Sequence, residues 1–404
     1  MNVYLIATMD TKAAEARFLR RELEALGLSV CLVDTGILKE SPADADISQR
    51  EVLGDLSVEG AKTRAEASVM MTKGLCRVIG EAYAAGKLAA AVSLGGSGGT
   101  TLASAAMREL PLGVPKVIVS TMASGNTLPY VYGEDILLIN PVVDIQNLNF
   151  LTRHALSQAA QIVAGMLKTP LAHEEGKPAV AITGFGVTTP CVDACVARLE
   201  QEGYEVLVFH ARGISGGRIM EKMIAEGHFS GVLDLTTSEI ADEVGGGIYA
   251  VGPQRLRTAA ELGVPYVVTP GALEMINLGS EDTLTDAQRA RVLYRHSPSS
   301  VKMRADREDM LRTAEVFVER LSGSRGNVEV LIPTRGYSMV NAEGKVFYDP
   351  QTDAAFAQAV SESMPAHVPV RLIDAHLNDA AFAALCTERL LALMKTKQPK
   401  GATL

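Results

Sequence analysis

Apolar and polar positions alternate in two different periods along nearly the whole chain. Short β-branched apolar runs predict buried strands, and the stretches between them place apolar residues at helical spacing. Gly27 follows the first helical stretch directly and is expected to end that helix. Strands that alternate with helices are typical of an α/β protein with a mostly parallel sheet. In the first half, strands are predicted at residues 3–7, 29–33, 88–94 and 116–120, and helices at 11–26, 65–85 and 101–109.

The pattern changes in two places. Residues 39–64 are polar and acidic, which predicts a long loop, and beyond residue 278 the regular alternation is lost. In this last part we expect helices at residues 280–295, 306–321 and 380–395, strands at 328–333 and 368–373, and a basic tail at the end of the chain.

The chain also contains an internal repeat. Residues 3–8 resemble residues 179–184, and the Gly-Val-Pro element at 113–119 recurs at 263–269. We therefore predict two doubly wound, Rossmann-like lobes that arose by duplication, with a ligand cleft between them. Lobe one is expected at residues 1–175 and lobe two at 178–404, because the polar segment 169–178 separates them.

Composition narrows the class of protein. The 404 residues carry a formal net charge of −9, so the basic field of a nucleic-acid-binding protein is missing. The longest uncharged run, residues 88–107, includes seven consecutive Gly, Ser or Thr residues, which argues against a membrane span. The first residues have no basic region before their apolar stretch, and the five cysteines are scattered. We expect a cytoplasmic protein without a nucleic-acid or membrane partner.

The sharpest local feature is a glycine-rich turn between a predicted strand and a predicted helix. Its residues are Gly95, Gly96, Ser97, Gly98, Gly99, Thr100 and Thr101. Glycines allow a close approach of the backbone, and the N-terminus of a helix offers free N–H groups to an anion. The turn lacks the Gly-Lys-Ser/Thr of a P-loop. We interpret it as a phosphate site, and the alternative is a tight turn that permits close helix–sheet packing.

Two other strand ends are expected near this turn, because doubly wound sheets bind ligands at the carboxyl ends of their strands. Asp10 can hold a magnesium ion or cap the helix, and Lys12 can contact a phosphate. The expected contributors from these two strand ends are Asp10, Thr11 and Lys12, and Thr121, Ser124, Gly125 and Asn126.

Lobe two has titratable side chains at its strand ends instead of a glycine turn. Asp374 and His376 are expected on one face of a strand end, where Asp374 can orient His376 or raise its pKa. His376 is the preferred acid–base residue, although it can also simply pin the turn before the last helix. The catalytic candidates are His210, Glu239, His296, Asp374 and His376.

Taken together, these segments resemble the Tm-one-like ATP-binding family, named after a plant protein that inhibits the replication proteins of tomato mosaic virus. The matching segments are the glycine-rich turn and residues 10–12, 115–126, 234–239, 270–277 and 374–379. The resemblance implies a two-lobed α/β protein, often dimeric, with ATP bound in the first lobe at residues 8–12, 95–101 and 120–126. It does not imply the antiviral role.

Three functions remain open at this point. The first is a magnesium- and ATP-dependent enzyme in which lobe one binds the phosphates and lobe two supplies acid–base groups for a small carboxylated or phosphorylated metabolite. The second is an ATP-independent hydrolase or lyase of a sugar-acid or keto-acid substrate. The third is a regulatory ATP-binding module without turnover. In each case a small-molecule ligand and a homodimer are expected.

Overall fold

The computed structural model describes residues 1–38, 44–56, 63–169 and 176–397. By its contacts the chain divides into two compact units, Met1–Ala172 and His173–Leu404. Parts of three predicted segments lie outside the described residues: the long polar loop at 39–43 and 57–62, the lobe boundary at 170–175, and the basic tail at 398–404.

Unit 1 is built on a five-stranded parallel sheet. Its strands are β1 (Asn2–Ala7), β2 (Val30–Asp34), β3 (Leu88–Gly95), β4 (Lys116–Ser120) and β5 (Leu137–Ile139), and their order is β2-β1-β3-β4-β5. The chain leaves β1 toward one edge and then crosses to the other side of β1 at β3. The carboxyl ends of β1 and β3 therefore form the switch point, where doubly wound sheets usually bind ligands.

Helices cover both faces of this sheet: α1 (Met9–Ala25), α2 (Gln49–Leu53), α3 (Arg64–Ala84), α4 (Ser97–Met107), α5 (Leu128–Val131) and α6 (Phe150–Lys168). Neighbouring residues of β1 point to opposite faces. Leu5 is buried with Leu19 of α1 on one face, whereas Ile6 is buried with Ile79 of α3 and Leu102 of α4 on the other. Burial on both faces explains why the strands are apolar throughout.

Unit 2 contains two sheets. Its strands are β6 (Ala179–Gly184), β7 (Glu205–His210), β8 (Gly231–Thr236), β9 (Tyr266–Gly271), β10 (Met275–Leu278), β11 (Leu293–Ser297), β12 (Ser300–Arg304), β13 (Val328–Pro333) and β14 (Val370–Ile373). Six form a parallel sheet in the order β14-β13-β9-β8-β6-β7, and β10-β12-β11 form an antiparallel sheet. The first five parallel strands of unit 2 follow the same order as those of unit 1. The predicted α/β class with two Rossmann-like lobes is confirmed.

The helices of unit 2 are α7 (Thr189–Gln201), α8 (Gly217–Ala225), α9 (Ser238–Gly245), α10 (Thr258–Leu262), α11 (Asp286–Arg289), α12 (Arg307–Leu321), α13 (Pro350–Ser363) and α14 (Ala380–Lys397). Cys195 of α7 and Phe382 of α14 are buried on one face of the parallel sheet, whereas Met220 of α8 and Phe317 of α12 are buried on the other. Among the described residues, no helix combines the length and apolar character that crossing a membrane requires.

Two predicted elements differ from the structure. The helix predicted at 280–295 is wrong, since that segment holds the short helix α11 and most of β11, whose Leu293 pairs with Met303 of β12. Cross-strand pairing with a distant segment overrides local helical spacing there. The helix predicted to begin at residue 101 begins at Ser97, because the glycines themselves form its first turn.

Candidate functional site

The glycine-rich turn lies at the switch point of unit 1. Gly95 ends β3 with φ +155°, and a Cβ atom there would lie 3.4 Å from the Cα atom of Gly99. The first backbone hydrogen bond of α4 runs from the N–H of Thr100 to the carbonyl of Gly96, at 3.0 Å. The N–H groups of residues 97–99 precede that bond, and none of them has an acceptor in the described part of the chain. A Cβ on Gly98 would meet open space, so an anion has room there.

The hydroxyls beside this turn divide into those that hold it and those that are exposed. The Thr100 hydroxyl is buried, donates to the Gly96 carbonyl at 2.8 Å and contacts the Ser120 hydroxyl at 2.6 Å. It therefore ties the start of α4 to the end of β4 and is engaged inside the protein. Ser97 and Ser124 are exposed at the same edge, and Ser97 itself carries the first of the three N–H groups.

Asp10 has a different environment from the one predicted for a metal ligand. Its Oδ2 atom accepts hydrogen bonds from the N–H groups of Ile37 and Leu38, at 3.0 and 2.9 Å. These bonds fix the segment after β2 against the start of α1. Lys12 is half-buried beside it and forms no ion pair within the described residues. In the same part of the chain, no group of three or more His, Cys, Asp or Glu side chains could hold a metal ion. The magnesium role of Asp10 stays a prediction.

The sheet order also brings the predicted segments of unit 1 together. Gly95 of β3 pairs with Ser120 of β4, and Ser93 pairs with Ile6 of β1. The strand ends that precede Thr8–Lys12, Gly95–Thr101 and Thr121–Asn126 are therefore neighbours at one edge. Thr11 contacts Thr8 through their hydroxyls at 3.1 Å, and Thr121, Gly125 and Asn126 follow β4 directly.

Unit 2 has a second cluster of side chains, around the ring of Phe185 directly after β6. The His210 ring lies edge-on to the Phe185 ring with a centroid distance of 5.2 Å, and the Tyr249 ring lies 6.5 Å away. The Nζ atom of Lys302 is 4.3 Å from the centroid of Phe185. The Arg212 guanidinium lies over the Tyr249 ring at 5.3 Å and donates from Nε to its hydroxyl at 2.9 Å. We call these five residues the Phe185 cluster.

The two strong bases of this cluster, Lys302 and Arg212, are in direct contact with no carboxylate of the described residues. Lys302 is buried, its Nζ donates to Oδ1 of Asn277 at 2.6 Å, and neither Lys302 nor Arg212 forms an ion pair within the described residues. Burial lowers the pKa of Lys302 to about 8, against the opposing effect of Asp242 and Glu274. Burial, together with the charges of Arg212 and Lys302, also lowers the pKa of His210. A buried ammonium group that no carboxylate contacts directly is costly, which makes it typical of a binding site.

Asp242 of α9 fixes two backbone segments of the cluster through its carboxyl group. Its Oδ1 atom accepts from the backbone N–H of Asn277 at 2.6 Å, and its Oδ2 atom accepts from the N–H of Tyr249 at 3.0 Å. The carboxyl group thereby positions both the Lys302 partner and the ring beside Arg212. Burial raises the pKa of Asp242 to about 7, although these N–H donors and the Lys302 charge act in the opposite direction.

Glu274, in the turn after β9, is a second buried acid near Lys302. One carboxyl oxygen accepts from the Ser338 hydroxyl, and the other oxygen, Oε2, is buried without a hydrogen-bond partner. Burial raises the pKa of Glu274 to about 7. A group with a pKa near neutrality and an unused oxygen is suited to proton transfer.

Glu239, a predicted catalytic residue, belongs instead to a fully buried ion network. Its Oε2 atom accepts from Nε of Arg255 at 2.6 Å, and its Oε1 atom accepts from the N–H groups of Gly213 and Gly217, at 2.8 and 3.1 Å. Asp234 pairs with the same guanidinium through two hydrogen bonds. Every oxygen of Glu239 is therefore engaged, and its visible role is to fix the loop that carries Arg212.

The structure does not pair Asp374 with His376 as predicted. The Asp374 carboxylate forms two hydrogen bonds of 2.7 Å with Arg335, and this pairing lowers the pKa of Asp374. The two nitrogens of the His376 ring contact the Ser338 carbonyl at 3.0 Å and the N–H of Asn378 at 3.1 Å. Since Nδ1 accepts from Asn378, the ring proton lies on Nε2 and is donated to Ser338. His296 is exposed on β11, and the catalytic roles of His296 and His376 stay predictions.

The sequence predicts His210 as a catalytic candidate but does not predict its partners. Lys302 lies in a strand where a connection between two predicted helices was expected. Phe185 lies in the segment 184–189 after the first strand of lobe two, which by its sequence could take a second anion. Glu274 and Asn277 fall within the segment 270–277 that supported the family resemblance, which was the available signal. Strand pairing between β10 and β12 places Asn277 opposite Lys302, and Lys302 reaches the Phe185 ring that His210 also contacts.

The fold and these sites define a two-unit α/β protein with a glycine-rich turn in one unit and a basic–aromatic cluster in the other. The chain belongs to Uncharacterised protein family (UPF0261): the model of its N-terminal domain matches residues 1–172 and that of its C-terminal domain matches residues 177–394.

Relatives extend from bacteria to plants. A UPF0261 protein of Clostridium tetani is 39% identical over 400 residues, which cover 97% of this chain and 99% of that protein. The ToMV resistance protein Tm-1(GCR237) of Solanum lycopersicum is 36% identical over 420 residues, which cover 97% of this chain but 55% of the tomato protein. The predicted relationship to the tomato Tm-1 proteins is confirmed, whereas ATP binding stays a prediction.

Solved structures add little. The UDP-N-acetylglucosamine 2-epimerase from Rickettsia bellii aligns over 98% of this chain and 96% of its own, at 12% identity and a TM-score of 0.22. A likeness at that score carries no argument about this chain.

Proposed function

We propose that this protein is an enzyme that binds the phosphates of ATP at the glycine-rich turn of unit 1 and carries out acid–base chemistry on a small anionic metabolite in unit 2. The observation that carries the proposal is the row of three N–H groups at residues 97–99, which have no acceptor among the described residues and lie at Gly98, where a Cβ atom would meet open space. ATP is the nucleotide that the family resemblance implies.

The turn suits a phosphate group on physical grounds. The first N–H groups of a helix need acceptors, and the helix dipole favours negative charge at that end. The exposed Ser97 hydroxyl adds a further donor, and Lys12, in the first turn of α1 after the neighbouring strand β1, supplies a positive charge. ATP would bring the phosphates and most of the oxygen ligands of its magnesium ion, since magnesium is usually held by substrate phosphates and one or two carboxylates.

Unit 2 supplies groups that can move protons near neutral pH. The lowered pKa of His210 keeps its imidazole neutral at pH 7, so it can accept a proton from a bound substrate. Glu274, with a pKa of about 7, can donate one. Titratable groups that burial shifts toward neutrality are concentrated at functional sites, which supports an enzyme over a regulatory module.

The test is nucleotide binding by a variant with a blocked turn. Gly98→Val fills the open space beside the three N–H groups, and we expect it to lower ATP affinity at least about tenfold in isothermal titration calorimetry with magnesium present. Gly165→Val is the matched control, because Gly165 is also an exposed helical glycine of unit 1 whose Cβ would meet nothing within 4 Å. If ATP binds a folded Gly98→Val protein as tightly as the control, the proposed phosphate site is wrong.

The ATP-independent hydrolase or lyase remains a second candidate, because the Phe185 cluster and the nearby Glu274 lie entirely within unit 2 and include groups whose pKa values burial shifts toward neutrality. Turnover assays on small hydroxy and keto acids, with and without ATP, distinguish the two. Release of ADP with turnover supports the first candidate, and turnover that ATP does not change supports the second. The homodimer stays a prediction that rests on the resemblance.

A further inference from the structure

We propose that the Phe185 cluster is a binding subsite for the carboxylate group of a small organic acid, with Lys302 and Arg212 as the groups that hold the carboxylate. The inference deepens the proposed function, on which it rests for what happens to the acid after binding. The binding step itself depends only on the side chains of unit 2.

Lys302 and Arg212 both have hydrogen-bond donors without an acceptor in the described part of the chain. The Lys302 ammonium has three N–H donors, and Asn277 is its one hydrogen-bond acceptor among the described residues. Arg212 donates from Nε to Tyr249, while its other guanidinium N–H groups have no partner within the same part of the chain. Two cations with spare donors, one of them buried, are what a carboxylate needs for charge-assisted hydrogen bonds.

The side chains of the cluster are grouped around the ring of Phe185. Phe185 contacts the His210 ring and the Lys302 ammonium and lies beside Tyr249, which in turn carries Arg212. These side chains come from the ends of β6 and β7, from the segment after α9 and from β12, so four separate parts of the chain meet there. A chance distribution of surface charges would not place these basic groups beside the same pair of aromatic rings.

Two features of the cluster favour an organic acid over a bare inorganic anion. The Phe185 and Tyr249 rings provide apolar walls that inorganic phosphate or sulfate cannot use. The acids Asp242 and Glu274 lie near Lys302 and would repel an inorganic dianion, which places both of its charges on one group, more strongly than a single carboxylate group with one charge. A carboxylate attached to a short carbon skeleton fits both features.

The experiment is a binding screen by thermal shift, followed by titration calorimetry of each acid that stabilises the protein. The probes are lactate, pyruvate, malate and succinate, with inorganic phosphate and sulfate as the comparison anions. We expect at least one carboxylate to bind the native protein more tightly than either inorganic anion. If none binds up to about 10 mM, or if phosphate binds as well as every acid, the proposal is overturned.

Two variants assign the residues. Lys302→Met keeps the apolar stem and removes the charge, and Arg212→Gln removes a charge at an exposed position where folding is not at risk. Each is expected to weaken binding of the carboxylate roughly 10- to 100-fold, the effect of losing a hydrogen bond to a charged group. Lys345→Met, at an exposed lysine of the same unit, is the control. Unchanged affinity in a folded Lys302→Met or Arg212→Gln protein refutes the assignment.

Proton uptake provides an independent readout. A bound carboxylate favours the charged form of Lys302 and raises its pKa from about 8, so binding at pH 8.5 should take up a fraction of a proton in the native protein and less in Lys302→Met. At that pH the other titratable groups near Lys302, namely Asp242, Glu274 and His210, are largely deprotonated, whereas Arg212 keeps its charge. Equal uptake in both proteins would contradict the proposal. Gly98→Val should bind the carboxylate normally, which separates a failure here from a failure of the nucleotide site.

Discussion

Replacing Glu274 by Gln should change how the stability of unit 2 depends on pH. The carboxyl group is fully buried, bonded to the Ser338 hydroxyl through one oxygen and without a partner at the other. Burial raises its pKa from 4.5 to about 7, which means that the folded protein keeps a proton on Glu274 that the unfolded chain has already released. The Gln side chain has nearly the same shape and no titratable proton.

The direction and the size of the change in the free energy of unfolding follow from the linkage between proton binding and folding. A raised pKa contributes stability that is complete below pH 4.5 and is lost as the pH rises through 7, so the native protein loses free energy of unfolding across this interval. From 4.5 to about 7, at about 1.4 kcal/mol for each pH unit, the loss due to Glu274 is about 3 kcal/mol. Glu274→Gln does not suffer this loss. Any cost of its unpaired amide N–H groups is the same at every pH.

The assay is calorimetric unfolding of both proteins at several values between pH 4.5 and pH 8. For a unit of this size about 3 kcal/mol corresponds to roughly 6–12 °C, so the Tm of the variant relative to the native protein should rise by about that amount across the interval. Glu281→Gln is the control, because Glu281 is exposed, its pKa is lowered by Arg295, and its contribution changes only below pH 4.5. Parallel Tm curves for Glu274→Gln and the native protein would refute the reasoning.

Two further predictions concern buried partners in unit 2. Asp234→Ala leaves the buried Arg255 guanidinium without its two-bond partner and should lower the free energy of unfolding by about 3–5 kcal/mol in urea titrations followed by circular dichroism; a change below about 1 kcal/mol would contradict the structural role of the network. His376→Ala removes contacts to the backbone of Ser338 and Asn378, so we expect a Tm lower by a few degrees. A roughly 100-fold fall in turnover with an unchanged Tm would instead support the predicted acid–base role.

Much of the fold could be predicted from the sequence because its signals are local. The alternation of strand and helix periods and the repeated segments were sufficient for two doubly wound units, and the glycine-rich turn between β3 and α4 could be located from its residues alone. A strand end and the following helix start are adjacent in the chain, and parallel strands end at one edge of a sheet. The position of the turn beside Thr8–Lys12 and Thr121–Asn126 therefore follows from sequence order and standard topology.

The tertiary structure alone decided which titratable side chains meet. Asp374 and His376 are two residues apart, yet Asp374 pairs with Arg335 and His376 bonds to the backbone, because neighbouring strands and loops offer those partners. Lys302 reaches Phe185 only because β12 pairs with β10 in a sheet that the local pattern did not predict. The pKa values of Lys302 and Glu274 depend on burial, and burial is a property of the packed unit. The spacing of hydrophobic residues that predicts a strand or a helix can be read within a few neighbouring residues. The electrostatic environment of a side chain, in contrast, depends on segments that are distant in sequence and that only folding brings together.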